Sequence, residues 1–167
     1  MNDRDLLLAS LNAGRGELLA AVEGMTDEQA AVKPEGGGWS ALDCLEHVAI
    51  VETLSLRRLS SQSVELPQEA SREREPVLYA SIATRTGKVE APERVQPKGH
   101  YTTISEAVGA FLDAREHTVK WLEKCDLDLR RRAVEHPALG TVSAYEFVLI
   151  MAGHTARHAR QILEARG

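Results

Sequence analysis

Four long stretches of this sequence carry apolar residues at the spacing of an α-helix, and three of them begin with a capping box. The boxes are Ser40–Asp43, Thr103–Glu106 and Ser143–Glu146, in which a hydroxyl residue precedes an acidic residue by three positions. Each side chain of such a box accepts a hydrogen bond from a backbone N–H that a helix start leaves unpaired. The pattern predicts helices from about Arg4 to Glu23, from Ser40 to about Ser60, from Thr103 to about Lys124, and from Ser143 almost to the C-terminus.

The segment between the second and third of these helices has a different character. Between residues 61 and 100 it is polar and is interrupted by four prolines, with one short helix expected around Val77–Thr84. No stretch alternates with period two for long enough to predict a sheet. The sequence therefore predicts an all-α protein, a single domain over residues 1–167, built as a four-helix bundle with a connection of about 40 residues crossing over between helices 2 and 3.

Composition excludes several classes of protein. The formal net charge is −5, and no basic stripe with interleaved aromatic residues is present, so we expect no nucleic-acid partner. The longest basic cluster, Arg130–Arg132, is expected at a helix end or in a solvated loop. No apolar run approaches the roughly 20 residues of a membrane span. With Cys44 and Cys125 as its two cysteines, the chain has no disulfide framework, and we expect a cytoplasmic protein with reduced thiols.

Two histidines on the fourth helix stand out. His154 and His158 are spaced i and i+4, which places both imidazoles on one helix face, and this face also carries Phe147, Ile150 and Ile162. A buried histidine without partners costs about 1–3 kcal/mol, so these residues are either satisfied core histidines or ligands of a metal ion. His47 on the second helix is either an interfacial histidine or a third ligand from a facing helix.

The remaining candidates carry weaker signals. Cys44 lies one turn before His47 and is expected to be a small core residue, with a fourth ligand or a redox-sensitive neighbour as alternatives. The other three histidines, His100, His117 and His136, are expected to face solvent or to lie away from the apolar stripe of their helix.

The residues around the histidine pair limit the kinds of metal chemistry that the site could support. Thr155 stands where an H-E-x-x-H metalloprotease has its glutamate, so the motif contains no general base, and Glu46 and Glu52 are the nearby carboxylates on the second helix. Three histidine ligands leave at least one coordination position open, which in zinc chemistry is typical of a catalytic site. Water at such a position can reach a pKa of about 7, and a thiol can bind there as thiolate.

Several blocks of this chain together resemble the DinB-like (YfiT-like) four-helix-bundle superfamily of bacterial metal-dependent enzymes. They are Gly38-Trp39-Ser40, Leu45-Glu46-His47-Val48 with Glu52, Ala91-Pro92-Glu93 with Pro97, the segment His136–Gly140, and the pattern H-x-x-R-H-x-x-Q-I from His154 to Ile162. The resemblance implies an up-down-down-up bundle, frequent homodimers, and a metal triad of His47, His154 and His158 that holds nickel or zinc. It also implies a small-molecule substrate, because some relatives transfer bacillithiol, mycothiol or glutathione.

Two residues near the expected triad have open roles. We interpret Arg115 on the third helix as an interhelical salt bridge or as a hydrogen-bond partner of a metal ligand, in preference to a binding site for a substrate anion. Gln161, one turn after His158, could orient a ligand imidazole by a hydrogen bond.

Three functions remain in competition. The first is a metal-dependent thiol S-transferase, with a low-molecular-weight thiol as cosubstrate and a small electrophile as acceptor. The second is a metal-dependent hydrolase, and the third is a non-catalytic metal-binding or stress-response bundle protein. The residues that would carry catalysis are not identified by the sequence.

Overall fold

The computed structural model describes residues 2–84, 86 and 90–167. Its helices are α1 (Asp3–Val22), α2 (Asp27–Ala31), α3 (Ala41–Ser61), α4 (Glu75–Ala83), α5 (Ile104–Lys124) and α6 (Ala144–Arg166), and its strands are β1 (Val64–Glu65), β2 (Arg132–His136) and β3 (Gly140–Ser143). Helices α1, α3, α5 and α6 are the four predicted long helices, and α4 is the predicted short one. The hydroxyls of Ser40, Thr103 and Ser143 all accept the capping hydrogen bond, so the three predicted boxes are confirmed.

Hydrogen bonds between helix ends establish the direction of each long helix. Arg166 near the end of α6 donates to the carbonyl of Ala21 near the end of α1 at 2.8 Å, so these two helices run in parallel. Arg4 at the start of α1 donates to the carbonyl of Cys125, which follows α5, at 2.6 Å. Arg58 near the end of α3 donates to a carbonyl of β2, close to where α6 begins, at 3.1 Å. Helices α3 and α5 therefore run opposite to α1 and α6, which confirms the up-down-down-up bundle.

The long connection follows from these directions. Because α3 and α5 point the same way, the chain must return along the bundle between them, and the described residues 62–84, 86 and 90–102 belong to this crossover. Helix α4 lies within it and packs against α6. No helix among the described residues is long and apolar enough to cross a membrane.

A small antiparallel sheet was not expected from the sequence. Its strand order is β1-β2-β3, with Val64 opposite Ala133 and Ala133 opposite Ser143. Each strand has two to five residues, too few to show a convincing period-two pattern. The sheet is minor beside the bundle, but it places His136 at the end of β2, where this residue is half-buried and does not face solvent fully as expected.

Arg130 is not the solvated residue that its basic cluster suggests. Only 6% of it is exposed, and its guanidinium donates to Glu75 at 2.8 Å and pairs with Asp3. It also lies 3.7 Å from the centroid of the Tyr145 ring. This arginine therefore ties α1 and α4 to the start of α6.

A second buried arginine joins all four long helices. Arg115 of α5 and Glu52 of α3 are each 2% exposed and form a bidentate pair with N···O distances of 2.7 and 3.0 Å. The same guanidinium donates to the carbonyl of Leu11 in α1 at 2.6 Å and to the hydroxyl of Thr155 in α6 at 2.8 Å. Of the roles considered for Arg115, the structure supports the interhelical salt bridge.

Removing one partner of this pair should be far more damaging than removing both. We expect Arg115→Met to lower the free energy of unfolding by about 3–5 kcal/mol, because it leaves the Glu52 carboxylate buried and unpaired. The double variant Glu52→Leu/Arg115→Met should regain a large part of that loss. Urea unfolding followed by circular dichroism measures both, and a double variant no more stable than Arg115→Met would contradict this account.

Helices α1 and α6 approach each other closely at Gly14. A Cβ at this position would lie 2.5 Å from the carbonyl oxygen of Ala152, whereas a Cβ at Gly16 would meet nothing within 4 Å. The two glycines lie on the same helix, so they form a matched pair for substitution.

We expect Gly14→Ala to destabilise the protein by about 1–3 kcal/mol or more, because the helix backbone must move to admit the methyl group. Gly16→Ala should be neutral or stabilise by up to about 1 kcal/mol, because alanine favours the helix and no contact opposes it. Thermal unfolding of the two variants side by side tests this, and equal behaviour would show that the close contact is unimportant.

Candidate metal centre

The three histidines singled out from the sequence meet between α3 and α6. His47 Nε2 lies 3.1 Å from His154 Nε2, which lies 3.1 Å from His158 Nε2. One nitrogen from each ring lies within 4.8 Å of those of the other two, a grouping of ligand-type side chains found at no other place in the described chain. Two metal–nitrogen bonds of about 2.05 Å separate their nitrogens by about 2.9 Å at a right angle and about 3.3 Å at a tetrahedral angle. The observed distances fall between these values.

The protonation state of His47 can be deduced from its partner. Its Nδ1 lies 2.7 Å from the carbonyl oxygen of Val95. A carbonyl only accepts, so Nδ1 must carry the proton, and Nε2 presents a lone pair to the other two imidazoles. This is the arrangement of a histidine ligand whose second nitrogen is held by an outer partner.

Hydrogen bonds among the three imidazoles cannot pair all of the Nε2 atoms of His47, His154 and His158. With Nε2 of His47 bare, an N–H on both His154 and His158 would place two hydrogens in a gap of 3.1 Å. At most one of these two rings can therefore direct a proton inward, and at least two lone pairs of the trio converge. A divalent cation would engage all three lone pairs at once, so the donor set fits a divalent metal ion.

Burial keeps these imidazoles neutral. His47 and His158 are 4% and 6% exposed, and burial lowers the pKa of His47 against the opposing effect of the Val95 hydrogen bond. Burial, and then the proximity of His47, lowers the pKa of His154 to about 3. The pKa of His158 falls well below its usual range, first through burial and then through His154 and His47. Neutral imidazole is the form that binds a metal, so no proton has to leave at neutral pH.

The helix that carries two of the histidines is held on both sides. A Cβ at Gly153 would lie 2.7 Å from the carbonyl oxygen of Tyr79 and 2.9 Å from the Cβ of Ile82, so α4 approaches closely beside His154. On the other side Thr155 accepts from Arg115. The residues before and after His154, Gly153 and Thr155, are thus held by α4 and by Arg115, which fixes the position of His154 on the helix.

Trp39 forms one wall of the centre. Its ring centroid lies 4.6 Å from that of His47 and 5.8 Å from that of His158, against which it stacks at 24°. The Gly-Trp-Ser block was noted in the sequence only as part of a family pattern, and nothing in it indicated contact with the histidines. The Val95 carbonyl was also missed, because a backbone acceptor in an irregular segment leaves no side-chain signal.

The other sequence candidates fall outside the trio. Cys44 is fully buried in the apolar core, in agreement with the small-core-residue interpretation. His100 and His117 are exposed as expected. Gln161 is close enough to His158 to raise the pKa of this imidazole against the effect of burial. The buried Nδ1 of His158 nevertheless forms no hydrogen bond of ordinary geometry with any residue that the structure describes, so the expected orienting hydrogen bond is not formed with that geometry.

Comparison with known proteins identifies the family of this chain. The family model of the DinB superfamily matches residues 10–162. The chain belongs to the DinB superfamily. No curated protein matches it significantly.

Two solved structures share the fold of this DinB-superfamily protein. TT2238, described as a four-helix bundle protein, is 20% identical with a TM-score of 0.61, and the match covers 95% of each chain. YfiT from Bacillus subtilis, described as a probable metal-dependent hydrolase with an unusual four-helix bundle topology, is 17% identical with a TM-score of 0.60. That match covers 97% of this chain and 85% of YfiT.

The trio makes a direct prediction about metal content. We expect the untagged protein to hold close to one equivalent of a divalent ion, and we expect His158→Ala to lose it. Loss of a ligand should cost more affinity than the roughly 10–100-fold that loss of an outer partner costs. The exposed His117→Ala is the matched control and should retain the ion. Mass spectrometry measures the content.

The same variants can be titrated through Trp39. In a Trp121→Phe background Trp39 is the one remaining tryptophan, and its ring lies against two of the three histidines. Nickel or cobalt should quench its fluorescence in the parent and in His117→Ala but not in His158→Ala. Equal metal content in all three proteins would contradict the assignment of the ligands.

Proposed function

We propose that His47, His154 and His158 hold a divalent metal ion, with zinc or nickel as the best candidates, and that the protein is a metal-dependent thiol S-transferase acting on a small electrophile. The observation that carries the proposal is the convergence of three neutral imidazoles without a carboxylate among them. Three neutral ligands do not offset the charge of a divalent ion, and they leave coordination positions open. Such an ion lowers the pKa of a bound thiol or water toward neutrality.

The nearby carboxylates favour thiol transfer over hydrolysis. A hydrolase of this type needs a general base within reach of the attacking water. Both oxygens of Glu52 accept from Arg115, and both oxygens of Glu46 accept from backbone N–H groups of residues 98–100. Each carboxylate is thus already engaged on both oxygens. A thiol ionised at neutral pH needs no such base.

The proposed reaction is balanced without any further reagent. The thiol sulfur forms a bond to the electrophilic carbon, the leaving group departs with the electrons of its own bond, and the thiol proton passes to solvent. The imidazoles stay neutral throughout, and Trp39 provides an apolar wall beside them. Neither Cys44 nor Cys125 forms a disulfide, which suits the reducing cytoplasm in which low-molecular-weight thiols are abundant.

Metal-dependent hydrolysis is the second candidate. Its support is the fold shared with YfiT from Bacillus subtilis, which is described as a probable metal-dependent hydrolase. The homodimer expected from the family stays a prediction.

Two assays separate these functions. Cobalt-loaded protein should develop a sulfur-to-cobalt charge-transfer band when glutathione or bacillithiol is added, and His47→Ala should not. The metal-loaded protein should also accelerate thioether formation between the thiol and chlorodinitrobenzene. Metal-dependent release of nitrophenol from a nitrophenyl ester without any thiol, together with no thiol-induced band, would instead favour the hydrolase. His117→Ala again serves as the control.

A further inference from the structure

Glu46 lies next to His47 on α3 and is almost fully buried, with 2% of its surface exposed. Its carboxylate accepts three backbone hydrogen bonds from consecutive residues of the crossover. The N–H of Lys98 reaches Oε1 at 2.8 Å, and the N–H groups of Gly99 and His100 reach Oε2 at 3.0 Å each. A buried charge held by three donors is a strong anchor, because hydrogen bonds to an ionised group are roughly twice as strong as neutral ones.

The backbone of the crossover is shaped to make these bonds. Gly99 has φ of +73°, a left-handed conformation that turns the consecutive N–H groups toward one point. Consecutive N–H groups around a residue of this kind form a nest, a concavity suited to an anion. Here the anion is the side chain of Glu46.

The same part of the crossover supplies the hydrogen-bond acceptor of His47. Val95, whose carbonyl oxygen lies 2.7 Å from His47 Nδ1, precedes the nest by two intervening residues. The side-chain amide of Gln96 donates a hydrogen bond from Nε2 to the carbonyl of Ala91 at 2.9 Å and stabilises this turn. The crossover is therefore attached to α3 at two adjacent positions, through Glu46 to residues 98–100 and through Val95 to His47.

We propose that Glu46 is a positioning residue of the metal centre. By anchoring residues 98–100 it holds the Val95 carbonyl on His47 Nδ1, which keeps the proton on that nitrogen and leaves Nε2 bare toward the other two histidines. Glu46 thus acts on the centre through the backbone of the crossover, neither as a ligand nor as a general base. The inference deepens the proposed function, since it concerns the same centre, but its first test needs no metal.

The first test observes the tautomer of His47 in the metal-free protein. Long-range proton–nitrogen correlation NMR should show the wild type with the proton on Nδ1 of His47. In Glu46→Gln the negative charge of the side chain is lost, and its amide N–H₂ faces a backbone N–H that it cannot accept from. Residues 98–100 should therefore be held less firmly and the hydrogen bond between His47 Nδ1 and the Val95 carbonyl should weaken. The tautomer of His47 with its proton on Nε2 should then become populated. Glu106→Gln is the matched control, because Glu106 also accepts backbone N–H groups but at the exposed start of α5. It should leave His47 unchanged.

The second test measures zinc affinity. Glu46→Gln should raise the zinc dissociation constant by about 10–100-fold, as expected for loss of outer support to a histidine ligand. Gly99→Ala keeps the carboxylate but strains the nest, and its Cβ would meet nothing within 4 Å, so it should move the tautomer and the affinity in the same direction. This variant also decides the matter if Glu46→Gln does not fold.

The outcomes distinguish this inference from the proposed function. A folded Glu46→Gln or Gly99→Ala with His47 wholly in the Nδ1–H form would overturn the positioning role, whatever its zinc affinity. Weaker zinc binding with an unchanged tautomer would do the same, because it would indicate a direct effect of charge. If the wild type binds no metal, the proposed function fails while the tautomer measurement still decides the role of Glu46.

Discussion

The ion pair of Arg115 and Glu52 is the interaction on which the rest of the structure depends. One guanidinium contacts a carboxylate of α3, a carbonyl of α1 and a hydroxyl of α6, while its own backbone belongs to α5. A buried charge pair is costly unless every donor is used, and here the contacts extend to all four helices. A shift of any one helix would break a charged hydrogen bond in the core. The pair therefore specifies one relative placement of the helices.

That placement determines the spacing of the histidines. Thr155, which accepts from Arg115, directly follows His154, and Glu52 lies on the same helix as His47. The contacts of Arg115 thus fix α3 and α6, the two helices that carry the trio, at positions only a few residues away from the histidines. Gly153 adds a second constraint, because α4 packs where a side chain would otherwise stand. The result is that His154 Nε2 lies 3.1 Å from the Nε2 atoms of both His47 and His158.

Several features could be predicted from sequence because they depend on near neighbours. Capping boxes act over three residues, and the pairing of His154 with His158 follows from helical spacing. The short strands escaped prediction because two to five residues are too few to show a period-two pattern, and because the pairing of β1 joins Val64 to Ala133 across the chain. The apolar residues of α5, which recur near helical period at Val108, Phe111, Leu112, Val119 and Leu122, predict its buried face only in part. Its most deeply buried line includes Arg115 and Thr118, while Val108, Leu112 and Val119 are half-buried.

The sequence by itself determined the helices, the long crossover and the pairing of His154 with His158, since each follows from local spacing or from the length of a connection, while His47 joined that pair only through the family resemblance. Only the tertiary structure decided which groups surround them. The engagement of Glu46 by residues 98–100 and the Val95 carbonyl on His47 depend on where the crossover returns to α3, and the contact of Trp39 with His47 and His158 depends on the packing of α3 against α6. A returning segment makes its contacts through backbone atoms, and backbone atoms are the same at every residue. Their positions are therefore set by the packing of the whole bundle, which no local pattern encodes.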